Sequence, residues 1–111
     1  MTIKTKGSIL VVDDDQDVQL SAKIILKREF ASVRCLSNPS EIEQELQTFP
    51  PDIVLLDMNF TRGMTSGDEG LYWLQKIKAT DPNIQVVMST AYGEIDLAVK
   101  AVKLGAADFV Q

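Results

Sequence analysis

Ile53-Val54-Leu55-Leu56-Asp57-Met58-Asn59 is an apolar run that ends abruptly in a carboxylate. Pro50-Pro51-Asp52 bounds it on one side and a glycine-rich segment on the other. Four large aliphatic residues in succession, without polar alternation, predict a central strand buried on both faces of a parallel sheet. Asp57 then stands at the carboxyl end of that strand. In open α/β sheets ligands bind at this edge, because loops and helix N-termini converge there while the strand holds its side chains still. Asp57 is therefore the first candidate functional residue. The plain alternative is an aspartate that only opens a turn, and the choice depends on whether the chain supplies partners for it.

A second unbroken run, Ser8-Ile9-Leu10-Val11-Val12, stops at Asp13-Asp14-Asp15 and predicts another buried strand with carboxylates at the same end. Val18, Ala22, Ile25, Leu26 and Phe30 then fall on one helical stripe, with Asp15 and Asp17 suited to its positive N-terminal end. Ser32-Val33-Arg34-Cys35-Leu36 alternates like an edge strand. Asn38-Pro39-Ser40-Glu41 offers an N-cap, a first-turn proline and a glutamate at the third position, so a helix is expected from there to about Gln47.

Beyond the central strand, residues 60–70 contain three glycines and several small polar residues, a loop longer than usual βα connections. Leu71, Leu74 and Ile77 restore helical spacing until Asp81-Pro82-Asn83. Ile84-Gln85-Val86-Val87-Met88 predicts a fourth strand running into Ser89-Thr90-Ala91, and Ile95, Ala98, Val99 and Val102 a fourth helix capped by Gly105. Asp108-Phe109-Val110-Gln111 begins a fifth strand. Strand and helix thus alternate, predicting a doubly wound α/β fold with a five-stranded parallel sheet and no final helix.

Composition narrows the function. The 111 residues suit one domain, and 45% hydrophobic with 24% charged residues suits a globular chain. A net charge of −5 argues against nucleic acid as a direct partner and favours cations. With no histidine, imidazole catalysis and a phosphohistidine role are excluded for this segment. The single Cys35 excludes an internal disulfide and fits a reducing compartment. No signal-peptide pattern opens the chain and no run is long enough to span a membrane, so a cytoplasmic location is expected.

Parallel βα topology should bring Asp13, Asp14 and Asp57 to one edge. Three adjacent carboxylates repel by about 4 kcal/mol per pair at an effective dielectric near 20, and these loops hold no lysine or histidine to relieve them. A divalent ion with hard oxygen ligands is the economical solution, and Mg²⁺ suits few carboxylates, retained water and a phosphate. Thr90 adds a hydroxyl at the same edge.

Val11-Val12-Asp13-Asp14, Leu55-Leu56-Asp57, Ser89-Thr90-Ala91 and Leu104-Gly105-Ala106-Ala107-Asp108-Phe109-Val110 together resemble the receiver domains of two-component response regulators. The resemblance covers essentially the whole chain, 1–111, and implies the flavodoxin-like (βα)5 fold with strand order 2-1-3-4-5. It implies that Asp57 accepts a phosphoryl group from a sensor histidine kinase or phosphotransfer protein. Mg²⁺ (or Mn²⁺) would be held by Asp13, Asp14, Asp57 and the backbone carbonyl of Asn59. Thr90 would sense the phosphoryl group, and Phe109 would turn as an aromatic switch beside the fourth helix. Such a domain assists its own phosphorylation and dephosphorylation rather than turning over a substrate, and controls an output domain in cis. Thr90-Ala91-Tyr92-Gly93 and the run from Ala98 to Ala106 look most like receivers of AAA+ enhancer-binding transcriptional activators.

The chain departs from the family at two places. Gly70 lies thirteen residues after Asp57 with no intervening proline, so the longer loop, including Arg62, is expected to lie over the site and tune access of kinase or water. The family's phosphate-binding lysine should follow Val110-Gln111, so the sequence reads as a receiver truncated at its fifth strand. An uncovered apolar face beside the first helix, and with it self-association or strand exchange, is the expected result. Rival readings are a haloacid-dehalogenase-like phosphohydrolase, from Asp57-Met58-Asn59-Phe60-Thr61, and a phosphorylation-independent docking module. Asn59 cannot serve as the general acid of the former, and the acidic cluster argues against the latter. A dinucleotide binder would need a glycine-rich fingerprint after the first strand, which is absent.

Overall fold

The computed structural model describes residues 6–58, 68–90 and 95–110. Strands and helices alternate as β1 (Lys6–Val12), α1 (Gln16–Leu26), β2 (Phe30–Leu36), α2 (Ile42–Thr48), β3 (Ile53–Asp57), α3 (Asp68–Thr80), β4 (Gln85–Ser89), α4 (Ile95–Lys103) and β5 (Asp108–Val110). The strands form the predicted five-stranded parallel sheet, in the order β2-β1-β3-β4-β5, the flavodoxin-like arrangement that the resemblance implies.

Register explains the unbroken aliphatic runs. Val12 lies beside Leu56 and Leu56 beside Met88, while Val11 lies beside Leu55 and Leu55 beside Val87. Successive residues point to opposite faces, so each run must be apolar throughout to meet helices on both sides. On one face Leu10, Val12, Val54, Leu56, Val86 and Met88 pack with Ile42 and Leu46 of α2, Leu71, Leu74 and Ile77 of α3, and Ala101 of α4. On the other face Ile9 and Val11 are buried, whereas Ile53, Leu55 and Val87 are only half-buried. Among the described residues α1 is the helix on this side, and none of its residues is buried. Val18, Leu20, Ile24 and Ile25 are exposed, from 42% for Val18 to 62% for Ile25.

Several local expectations shift. The predicted first-helix stripe is too long, because α1 ends at Leu26 and Phe30 opens β2. The second helix begins with one turn of 3-10 helix at Pro39–Glu41, where the Asn38 side chain accepts from the Ser40 N–H, before α2 proper. In α4 the buried positions are Ala98 and Ala101, while Val99 and Val102 face out, so the small residues meet the sheet. Asp68, Glu69 and Gly70 belong to α3 rather than to the preceding loop.

Two glycines are required by geometry. A Cβ on Gly70 would lie 2.6 Å from both the Cα and the carbonyl oxygen of Met58, and the Gly70 N–H donates to that oxygen at 2.9 Å. Gly105 has φ of 117° and closes α4: its N–H bonds to Val102 and the Ala106 N–H to Ala101, the Schellman pattern.

Candidate functional site

The site is built where β1 and β3 end. The Asp13 N–H extends the β1–β2 ladder by donating to Leu36, and the Met58 N–H extends β3 towards β4 by donating to Ser89. The backbone on either side of the edge is thus fixed. Asp13 and Asp57 leave adjacent strands, Asp14 follows at once, and one carboxylate oxygen from each lies within 4.8 Å of the others. The expected acidic cluster is therefore assembled.

The three carboxylates differ in surroundings. Asp13 is buried, at 7% exposure, and its Oδ1 accepts from the Asp15 N–H at 2.9 Å. Burial pushes its carboxyl pKa above the ordinary aspartate value, the Asp15 N–H opposes that, and neighbouring Asp14 and Asp15 add to the rise. Asp14 is exposed and Asp57 half-buried. Asp15, at the same turn, takes another role: its side chain accepts from the N–H groups of Asp17 and Val18 and caps α1. Three hard oxygen donors, one of them poorly solvated, fit a small divalent cation. Asn59, whose backbone carbonyl was the fourth expected ligand, lies outside the described residues, as do Arg62 and the rest of residues 59–67.

Thr90 directly follows Ser89, the register neighbour of Asp57. It is 6% exposed, its N–H donates to the Val110 carbonyl at 2.9 Å, and its hydroxyl donates to the same oxygen at 3.3 Å. The hydroxyl thus ties β4 to β5. Phe109, beside Met88 in the register, is half-buried and packs against the main core cluster.

Two positioning contacts escaped the sequence reading. Gln19 donates from Nε2 to the Asp13 backbone carbonyl and to Ser37 Oγ, joining α1 to the ends of β1 and β2. Nothing in an exposed-looking glutamine signals this. Arg34 pairs with Glu45 of α2, and here a signal existed. Ile42, Glu45 and Leu46 form the buried stripe of α2, and a glutamate in such a stripe calls for a cation on the strand it covers.

The family described as response regulator receiver domain matches residues 9–111. The response regulator protein PilR of Pseudomonas aeruginosa is 37% identical over 106 residues, covering 96% of this chain and 23% of that protein. The nitrogen assimilation regulatory protein NtrX of Azorhizobium caulinodans is 35% identical over 103 residues, covering 93% of this chain and 22% of its own length. This chain therefore spans under a quarter of either relative. Among solved structures, the N-terminal signal receiver domain of a two-component response regulator from Bacteroides fragilis superposes with a TM-score of 0.84 at 42% identity, covering 96% of this chain and 84% of that one.

Proposed function

The chain belongs to the response regulator receiver domain family, and from that premise we propose that it is a phosphoacceptor switch whose nucleophile is Asp57. The observation that carries this reading is the convergence of Asp13, Asp14 and Asp57 at the carboxyl ends of β1 and β3. A carboxylate oxygen of Asp57 attacks the phosphorus of a phosphohistidine on a sensor kinase or phosphotransfer protein. The N–P bond breaks, the imidazole takes up a proton, and an acyl phosphate remains on Asp57. Asp13, Asp14 and Asp57 would hold a Mg²⁺ or Mn²⁺ ion, which when bound would neutralise charge on the phosphoryl oxygens. Asp13, whose Oδ1 is oriented by the Asp15 N–H, would be the most buried of these ligands. The domain works in the cytoplasm as a stoichiometric acceptor that assists its own phosphorylation and dephosphorylation, and it governs a transcriptional output domain in cis.

The experiment is intact-mass measurement after incubation with Mg²⁺ and a small phosphodonor. A gain of one phosphoryl group, lost when EDTA replaces Mg²⁺, is expected. Steady turnover of unrelated phosphate esters without that gain would instead favour the phosphohydrolase.

The bond from the Thr90 hydroxyl to Val110 supplies the switch. A phosphoryl group on Asp57 brings nearly two negative charges and three acceptor oxygens, a stronger attraction for a hydroxyl than one peptide carbonyl. Drawing the hydroxyl away releases a tie to β5 and frees Phe109 to repack. That biases the surface of α4 and β5, where Val99, Val102, Leu104 and Val110 stand exposed, towards a second arrangement. Thr90→Val should leave phosphoryl uptake in place. It should abolish the change in amide exchange of α4 and β5 on phosphorylation and cost about 1 kcal/mol from the lost hydrogen bond. An unchanged exchange response in this variant would remove Thr90 from the switch.

Self-association also belongs to this reading. The large aliphatic residues left exposed on α1, beside half-buried Ile53, Leu55 and Val87, support it.

A further inference from the structure

We propose that two copies of this chain join through the open edge of β2, forming an antiparallel pair centred on Val33. The inference rests on the self-association reading and names its surface; it needs no chemistry at Asp57.

The sheet has two edges, and they are unlike. β5 opens with exposed Asp108. β2 runs for seven residues, Phe-Ala-Ser-Val-Arg-Cys-Leu, with no proline, no acidic residue and one cation. A long edge of low charge is what natural sheets usually avoid. The cation does not guard it either, because the Arg34 guanidinium folds back onto Glu45 and lies 4.0 Å from the centroid of the Phe49 ring.

Hydrogen-bond direction fixes which groups are offered. Leu36 accepts from the Asp13 N–H at 3.1 Å, so its peptide groups turn towards β1. In an extended strand the N–H and C=O of one residue share a side, and successive residues alternate. Phe30, Ser32, Arg34 and Leu36 thus bond inward, leaving Ala31, Val33 and Cys35 to present their N–H and C=O groups outward. That outward set is symmetric about Val33. Across a twofold axis Val33 pairs with its copy and Ala31 with Cys35, each pair exchanging both hydrogen bonds. On the opposite face Phe30 meets Leu36 and Ser32 meets Arg34, so no like charges are opposed.

The flanks of the edge have room for this. A groove of about 290 Å³ lined by Arg34, Leu36, Glu45 and Phe49 runs along one face, and one of about 270 Å³ lined by Leu20, Lys23 and Cys35 along the other. An added strand directs its side chains alternately to the two faces, which matches a groove on each. Leu20, sharing the second groove with Cys35, is 59% exposed, and Ile24 one turn on is 57% exposed. A second copy would bring its own α1 alongside and cover them.

Ala31→Cys tests the register with native Cys35 as the partner thiol. Opposed residues in a hydrogen-bonded pair have Cα atoms about 5.5 Å apart, inside the disulfide range of about 4.4–6.8 Å. Within one chain the two positions are about 13 Å apart along the strand, so any disulfide joins two chains. Oxidised A31C should run mainly as a reducible covalent dimer. Ser32→Cys, which would face Arg34, should stay unlinked. Val33→Pro in the A31C chain removes an edge-facing N–H while sparing the bonds to β1, and should return linkage to background with an unchanged circular dichroism spectrum. Wild-type protein that sediments as a monomer at every concentration would overturn self-association and the edge together. A sedimenting dimer with no A31C linkage, or linkage that S32C equals or a folded V33P chain retains, would overturn the edge alone.

Discussion

Asp57→Asn should reduce phosphoryl uptake to background while leaving the fold as stable as the parent or more so. An acyl phosphate requires a carboxylate oxygen as nucleophile, and the amide of asparagine is uncharged and far less nucleophilic. The same change removes one of three carboxylates whose oxygens lie within 4.8 Å of one another, relieving repulsion that the metal-free protein must otherwise bear. Activity and stability therefore move in opposite directions, which an ordinary disruptive substitution would not produce. Intact mass after exposure to the phosphodonor reads the first and thermal unfolding the second. Undiminished mass gain in the asparagine variant would mean that another residue accepts the phosphoryl group.

Gly70→Val should have the largest effect on stability. The obstacle to its side chain is backbone, the Cα and carbonyl oxygen of Met58 at 2.6 Å, and backbone cannot swing aside as a side chain can. Overpacking of this kind costs about 3 kcal/mol or more, a fall in Tm of at least about 12 °C for a domain near this size. Met58 follows Asp57 directly, so whatever displacement the protein accepts is passed to the nucleophile, and phosphoryl uptake should slow as well. Urea or thermal unfolding measures the first effect. A valine variant with the parent's midpoint would show that α3 does not rest on β3 in this way.

The sheet was legible because both-faced burial leaves a strong imprint: Ile9 to Val12 and Ile53 to Leu56 can hardly be anything but inner parallel strands. The acidic site was legible for a related reason, since carboxylates that abruptly end such runs share an edge by topology alone. What the pattern misjudged was helix orientation. Val99 and Val102 are larger and more apolar than Ala98 and Ala101, yet the alanines are buried, because close approach to the sheet favours small side chains and hydropathy does not measure distance. Gly70 was read as loop because glycine is a poor helix former. Its reason for being there, contact with Met58, lies twelve residues back in the chain and is invisible to local pattern. Gln19 and the Arg34–Glu45 pair likewise join distant segments.

The uneven covering of the sheet also sets an order of loosening. α2, α3 and α4 each bury side chains in the main core, whereas α1 buries none and is held by its Asp15 cap, the Gln19 bonds and partial contacts. A helix anchored so lightly should open at a free energy below that of global unfolding, as a small cooperative unit of its own that amide exchange would reveal. Asp13 and Asp14 lie at the hinge of that unit, so the carboxylates that would hold a cation belong half to the rigid sheet and half to its least secure helix. Ion binding there would act as a clasp, converting part of its binding energy into order along α1.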